Sequence, residues 1–292
     1  MWMKNKFAEV LRLVRIEHSL MLVIAVISAE ALASGIPNIM TLALSLITPI
    51  FISIAAFAIN DYFDIEADAI NGKNRPLVKG TLSKSDALHI TYAGIIIGIG
   101  ASLFLNVYCI AIAAIFGILS LLYSYRIKVM PFWGNAYVAL SMAIPFIFGN
   151  FVVSSSLSGT VLLVSMMIFF SGFAREIQGA IRDIKGDKKA RNTRSIPSLI
   201  GIRASSITAA ASYAAAIAIS AILFVSSAHF DHNAIYAIPI FLVDIALCYS
   251  SIVFLRKDAR RYGAVRNISL GAMGLALIAI FLSSLAYIQI PL

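Results

Sequence analysis

Nine stretches of this chain stay apolar for about 20 residues at a time, the length a helix needs to cross the hydrocarbon core of a bilayer. They fall at about 19–35, 39–60, 87–105, 107–125, 134–153, 159–178, 204–226, 234–255 and 268–289 and leave little else among the 292 residues. Lipid offers no hydrogen bonds to a bare backbone, so a spanning chain must be helical or a closed barrel. The long unbroken runs predict helices. Only 13% of the residues are charged and the mean hydropathy is +0.91, which excludes an ordinary water-soluble globule. The expectation is an all-α integral membrane bundle of nine transmembrane helices, one domain over 1–292.

The connectors between these windows alternate strictly in kind. Segments 36–38, 106, 154–158 and 227–233 carry no Lys or Arg, whereas the N-terminus, 61–86, 126–133, 175–203 and 256–267 hold all 23. Nine spans put every base on one face, and the bias of positive loops toward the cytoplasm makes that face cytoplasmic. The N-terminus is then inside and the C-terminus outside, and an error of one span would scatter the bases over both faces. The net charge of +9 needs no nucleic acid, because loop bias and anionic headgroups account for it. Residues 1–17 are basic and amphipathic with no small-residue cleavage site, so no removable signal peptide is expected. Cys109 and Cys248 sit inside apolar runs, away from any metal-binding spacing.

The acids are not spread like the bases. Asn60, Asp61, Asp64, Glu66 and Asp68 crowd the cytoplasmic end of the second window. On a helix turning about 100° per residue, Asn60, Asp61, Asp64 and Asp68 share one arc about 100° wide and Glu66 points away. A second set, Glu176, Asp183 and Asp187, stands at the matching end of the sixth window, and helical spacing stacks these three on one face. An acidic helix end is ordinarily a solvated face; two such sets at equivalent ends, with i+4 spacing in each, are not. Crowded carboxylates at a membrane boundary repel one another unless cations intervene. Oxygen-only ligands indicate Mg²⁺ rather than zinc. With Arg75, Lys79, Lys128, Arg182 and Lys185 interleaved, the pattern suits a Mg²⁺-bound polyphosphate at the cytoplasmic side, with cap loops over about 61–86 and 175–203.

Other features carry less. Tyr123 to Lys128, taken alone, matches the aromatic and basic residues found at any membrane interface. Gly94 and Gly98 form a GxxxG that reads as helix packing. Glu30 and Asp244 lie inside windows, where an ionisable group raises a transport path as an alternative. The chain has no DGxxAR run, which sets aside a phosphatidyl-alcohol phosphotransferase.

Asn60-Asp61-x-x-Asp64-x-x-x-Asp68 resembles the NDxxDxxxD motif of the UbiA superfamily of intramembrane prenyltransferases, and Asp183-x-x-x-Asp187 resembles its DxxxD motif. Arg75-Pro76-Leu77, the Tyr123 to Lys128 stretch and Arg12 to Leu20 match as well, so the resemblance covers nearly the whole chain. It implies that Asn60, Asp64, Asp68, Asp183 and Asp187, assisted by Asp61, hold two Mg²⁺ ions on a prenyl diphosphate. Asp64, Asp68, Asp183, Asp187 and Lys128 are then the catalytic residues, and Arg75, Lys79, Tyr123, Lys128 and Arg182 bind the diphosphate. Arg175-Glu176-Ile177, the run Asp183 to Asp187, and Thr193 to Pro197 are most similar to the archaeal branch that makes digeranylgeranylglyceryl phosphate. The chain departs from that branch at Gly179-Ala180 and at His18. The resemblance thus implies geranylgeranyl transfer from geranylgeranyl diphosphate to geranylgeranylglyceryl phosphate in ether-lipid synthesis, among membrane lipids. Arg182, Lys185, Lys188 and Lys189 are candidates for the acceptor's phosphate. The alternative is an aromatic acceptor such as 4-hydroxybenzoate, a naphthoate or a haem-pathway intermediate.

Overall fold

Each apolar window centres on a helix in the computed structural model, which describes residues 2–190 and 195–288, with the side chains of 6–184 and 195–287. Ten α-helices and two short 3-10 turns make up the described chain, with no strand among the described residues. The helix beyond the nine expected is α1 (Trp2–Val14), amphipathic and mixed in composition, as befits a segment lying at an interface. It ends at Arg15, whose φ of 50° breaks it from α2 (Ile16–Ala33). The others are α3 (Ile39–Ile70), α4 (Lys84–Ser102), α5 (Val107–Tyr125), α6 (Pro131–Val153), α7 (Gly159–Ala190), α8 (Ile196–Ser226), α9 (Ala234–Leu255) and α10 (Tyr262–Ile288). Eight are long and apolar enough to cross a membrane. The exception among the nine expected spans is α4, a 19-residue helix with Lys84, Asp86 and His89 in its first two turns. The protein is a multi-pass, all-α membrane protein.

The two longest helices outrun the bilayer. α3 and α7 have 32 residues each, about 48 Å at 1.5 Å per residue against a hydrocarbon core of about 30 Å. Their surplus C-terminal turns carry the two acidic motifs. This corrects the cap-loop expectation for 61–86 and 175–203. The first motif lies on helix up to Ile70, with loop only over 71–83, and helix α7 continues to Ala190. Within α8, Gly201 has φ 82° and ψ 159°, a break only glycine adopts without strain.

The chain divides into two compact units. The first contains Met1–Val23 and Pro37–Lys128. Its core joins Leu13 of α1, Ala58 of α3, Leu77 and Leu82 of the following loop, and Ala87 of α4. α3 and α4 meet where side chains vanish: a Cβ on Gly94 would lie 2.7 Å from the Phe51 carbonyl oxygen, and one on Gly98 3.1 Å from that of Thr48. The GxxxG thus brings two backbones together, as expected where lipid gives helices no hydrophobic reason to associate. Ser83 caps α4, its hydroxyl accepting from the Asp86 N–H while Asp86 accepts from the Ser83 N–H. The Ser83 backbone bond, followed by that from Lys6, holds the Asp86 carboxyl down at about 2.

The second unit contains Ile24–Ile36, Val129–Lys188 and the described residues from 195 onward. One core gathers Ala29, Phe146, Val164, Leu223, Tyr236 and Ile280; another gathers Ala139, Ile177, Tyr213, Leu247, Phe254 and Val265. Large apolar side chains also point outward across both units, Ile96 at 71% and Val225 at 72% exposure, as a lipid solvent permits.

Candidate active site

The surplus end of α3 presents three acids on one side. Asp61, Asp64 and Asp68 are buried at 2%, 8% and 2% exposure while Glu66 is exposed, the partition that helical geometry predicts. Burying carboxylates is costly without counter-charge, and four cations supply it from three directions. Arg15 Nη2 donates to Asp61 Oδ1 at 2.9 Å. Lys128 Nζ, beyond the end of α5, donates to Asp64 Oδ1 at 2.7 Å. Lys73 Nζ lies 2.8 Å from Asp68 Oδ1, an ion pair without hydrogen-bond alignment. Arg75 stands between two acids, its Nε 3.9 Å from Asp61 Oδ2 and 3.8 Å from Asp68 Oδ2.

Local structure explains how these bases arrive. The chain leaves α3 at Asn71 and turns back, with the Lys73 N–H bonded to the Asp68 carbonyl and the Thr81 N–H to that of Pro76. Leu77 and Leu82 then anchor the loop in the core, so Arg75 returns over the motif. Phe63 forms an edge contact with Tyr125 and lies 6.0 Å from Lys128 Nζ, fixing the end of α5 beside α3. Burial pulls the Arg15 guanidinium below its ordinary pKa, and Asp61 opposes that shift.

The first unit therefore brings together Asp61, Asp64, Asp68, Arg75 and Lys128. Asn60 is half-buried on the same helix, and Tyr123 is half-buried on α5. Lys79 is exposed and makes no ion pair with the motif among the described residues. In the second unit, Asp183 is exposed and held by Arg182 through two 2.6 Å hydrogen bonds, from Nε and Nη2. Asp187, Lys185, Lys188 and Lys189 lie on α7 with side chains outside the described residues, and Thr193 lies outside them altogether.

Among the described residues no three His, Cys, Asp or Glu side chains are gathered to hold a metal. The carboxylates are drawn to their bases instead. The donor set still fits a hard cation, since all its ligands are oxygens on successive turns of one helix. Asp68 Oδ1 is buried with no hydrogen-bond donor, so oxygen valence is left over on that carboxylate.

Sequence reasoning missed Arg15 and Lys73 as partners of the motif, and a polar cluster in the second unit. There Gln178, 4% exposed, accepts from Ser250 Oγ at 2.8 Å and from the Tyr213 hydroxyl at 3.4 Å. A glutamine within the apolar lead-up to the second motif was its only signal. Asp244 gains a structural account: it accepts from Ser220 Oγ at 2.9 Å, joining α9 to α8. Glu30 is fully buried on α2.

Against known proteins, residues 21–271 match the model of the UbiA prenyltransferase family. The chain belongs to that family. Among curated UbiA-type relatives, digeranylgeranylglyceryl phosphate synthase of Archaeoglobus fulgidus is 32% identical, over 92% of both chains. The Thermococcus kodakarensis protein of the same name is 30% identical over 90% of this chain and 92% of that one. A solved structure concerning digeranylgeranylglyceryl phosphate synthase in membranes superposes with a TM-score of 0.80 at 25% identity, covering 97% of this chain and 99% of that one. A UbiA homologue from Archaeoglobus fulgidus bound to GPP and Mg²⁺ shares the fold, with a TM-score of 0.67 at 18% identity over 97% of this chain and all of that one. The protein is thus a UbiA-type prenyltransferase.

Proposed function

We propose that this protein transfers a geranylgeranyl group from geranylgeranyl diphosphate to geranylgeranylglyceryl phosphate with two Mg²⁺ ions, releasing diphosphate in archaeal ether-lipid synthesis. The observation that carries this reading is the charge arrangement at the end of α3, where Asp61, Asp64 and Asp68 are matched against Arg15, Lys73, Arg75 and Lys128. In such a cluster acids and bases compensate one another, and both sets are suited to a metal diphosphate, the bases to its oxygens and the acids to its metal. Lys128, Arg75 and Lys73 would then serve phosphate oxygens, leaving Asp64 and Asp68 to hold divalent metal. Asn60, Asp64 and Asp68 hold metal on this reading, with Asp183 and Asp187 as the second set. Tyr123, Lys79 and Arg182 complete the diphosphate contacts.

Bound divalent metal supplies electrostatic stabilisation of the departing diphosphate. The chain's own cations share that task, since Lys128 and Arg75 provide fixed positive charge beside oxygens that gain negative charge as the allylic C–O bond breaks. The electron pair leaves with diphosphate, the glycerol hydroxyl oxygen bonds to C1 and its proton is lost. Apolar helix faces exclude the water that would trap the allylic cation. Nine spans, with the acidic helix ends and every Lys and Arg on the cytoplasmic side, complete the proposal.

The test is one assay in detergent with labelled geranylgeranyl diphosphate and Mg²⁺, offering geranylgeranylglyceryl phosphate beside 4-hydroxybenzoate. Transfer to the glycerol lipid, abolished by EDTA, is the expected result. Transfer to the aromatic alone would keep the fold and move the enzyme to quinone chemistry.

A further inference from the structure

Two arginines share one buried carboxylate at the end of α3, and they share it unequally. Arg15 makes the hydrogen bond to Asp61 at 2.9 Å, and its guanidinium carbon stacks 4.5 Å above the Phe57 ring centroid. Arg75 stays 3.9 Å from the other oxygen of Asp61 and donates no side-chain hydrogen bond among the described residues. Arg15 is thus held through one guanidinium nitrogen and one face, while its Nε is buried without a partner. It occupies the break between α1 and α2 in a left-handed conformation that costs a residue other than glycine about 1 kcal/mol or more. α1 itself is tied to the segment that carries Arg75 by Lys6 to Asp86 at 3.0 Å and by Thr81 to Glu9 at 3.1 Å. Backbone strain kept in place by this many contacts implies that the position of the guanidinium matters.

A buried carboxylate without a hydrogen-bonded partner takes the nearest guanidinium in a two-pronged grip. With Arg15 absent, that guanidinium is Arg75. We propose that Arg15 is a positioning residue: by occupying Asp61 it keeps the donors of Arg75 free for the diphosphate, and Asp61 serves as counter-ion to the two arginines and not as a metal ligand. The inference rests on the prenyl-diphosphate reading of this site. It removes Asp61 from the metal set that the motif alone suggests.

The test uses the full-length protein in detergent and reads binding as well as turnover. Inorganic diphosphate with Mn²⁺ serves as the probe, followed by electron paramagnetic resonance of free Mn²⁺ and by thermal stabilisation. Arg15→Gln should weaken diphosphate binding about tenfold, the size of one lost charge-assisted contact. It should raise KM for the prenyl diphosphate similarly while leaving KM for the acceptor unchanged. Arg15→Lys keeps a charge near Asp61 without the fork and should fall between; it serves also if the glutamine variant does not fold. Asp61→Asn should leave Mn²⁺ affinity within about twofold, whereas Asp64→Asn should lower it about tenfold or more. Unchanged diphosphate affinity in Arg15→Lys or in folded Arg15→Gln overturns the proposal, as does an Asp61→Asn loss of Mn²⁺ matching that of Asp64→Asn. If the wild type binds the probe and the variants behave as stated but no prenyl group reaches the glycerol lipid, the acceptor reading fails and the positioning role stands.

Discussion

Lys128 and Asp64 meet at 2.7 Å with each side chain 12% exposed, from positions that sequence separates by the whole of helices α4 and α5. A pair this enclosed is sensitive to loss of one partner, and on the proposed mechanism both partners also act on substrate. Asp64→Ala should therefore lower turnover about 10³-fold or more, and Lys128→Met about 10²-fold with KM for the prenyl diphosphate raised. Steady-state kinetics on the purified variants, with circular dichroism as a folding control, checks both; near-normal turnover in Asp64→Ala would remove it from the metal set. At this scale the sequence was informative about the acids, and of the four bases it pointed to Arg75 and Lys128 but not to Arg15 and Lys73. Helical periodicity separates Asp61, Asp64 and Asp68 from Glu66 because all four ride one helix. Arg15 and Lys73 reach the motif through a helix break and a returning loop, and no period in the sequence encodes those contacts.

Helix ends were harder to read than helix cores. The apolar windows begin α3 and α7 at the right places, but hydropathy falls at Asn60 and again near Arg175 while the helices run on to Ile70 and Ala190. Polar helix beyond the bilayer satisfies its backbone internally, so polarity there does not mean loop. The break at Arg15 is a non-glycine strain that composition does not announce. That α4 carries a close-packed face, by contrast, was legible from Gly94 and Gly98, since small residues at that spacing let backbones close; that its partner is α3 came from the structure. Gly94→Ala should cost about 1–3 kcal/mol, because its new Cβ meets the backbone oxygen of Phe51 at 2.7 Å and not a movable side chain. Gly100→Ala on the same helix meets nothing within 4 Å and should be neutral or stabilising by up to about 1 kcal/mol. Thermal unfolding of the two variants side by side measures the difference; equal melting temperatures would mean that the seam tolerates a wider spacing.

Across the whole molecule, one regularity organises the chain: every Lys and Arg falls in alternate connectors. The cost of carrying charge through lipid, about 2.5–3.5 kcal/mol per Arg or Lys at a helix centre, explains why such a pattern persists over so many crossings. It yields a topology only if the number of crossings is odd between the N-terminus and the C-terminus, and α4 decides that number. If α4 crosses, Asn74 in the loop after α3 and Ser155 in the loop after α6 lie on opposite faces. If it does not, α4 lies along the surface, the strict alternation is lost and bases appear on both sides. Both residues are exposed, so each can be replaced by cysteine in a Cys109→Ala, Cys248→Ala background. A membrane-impermeant maleimide applied to intact cells should label Ser155→Cys and spare Asn74→Cys, and inside-out vesicles should reverse the pattern. Labelling of both from one side would place α4 outside the set of spans and would set the loop that carries Arg75 on the same face as the 154–158 connector.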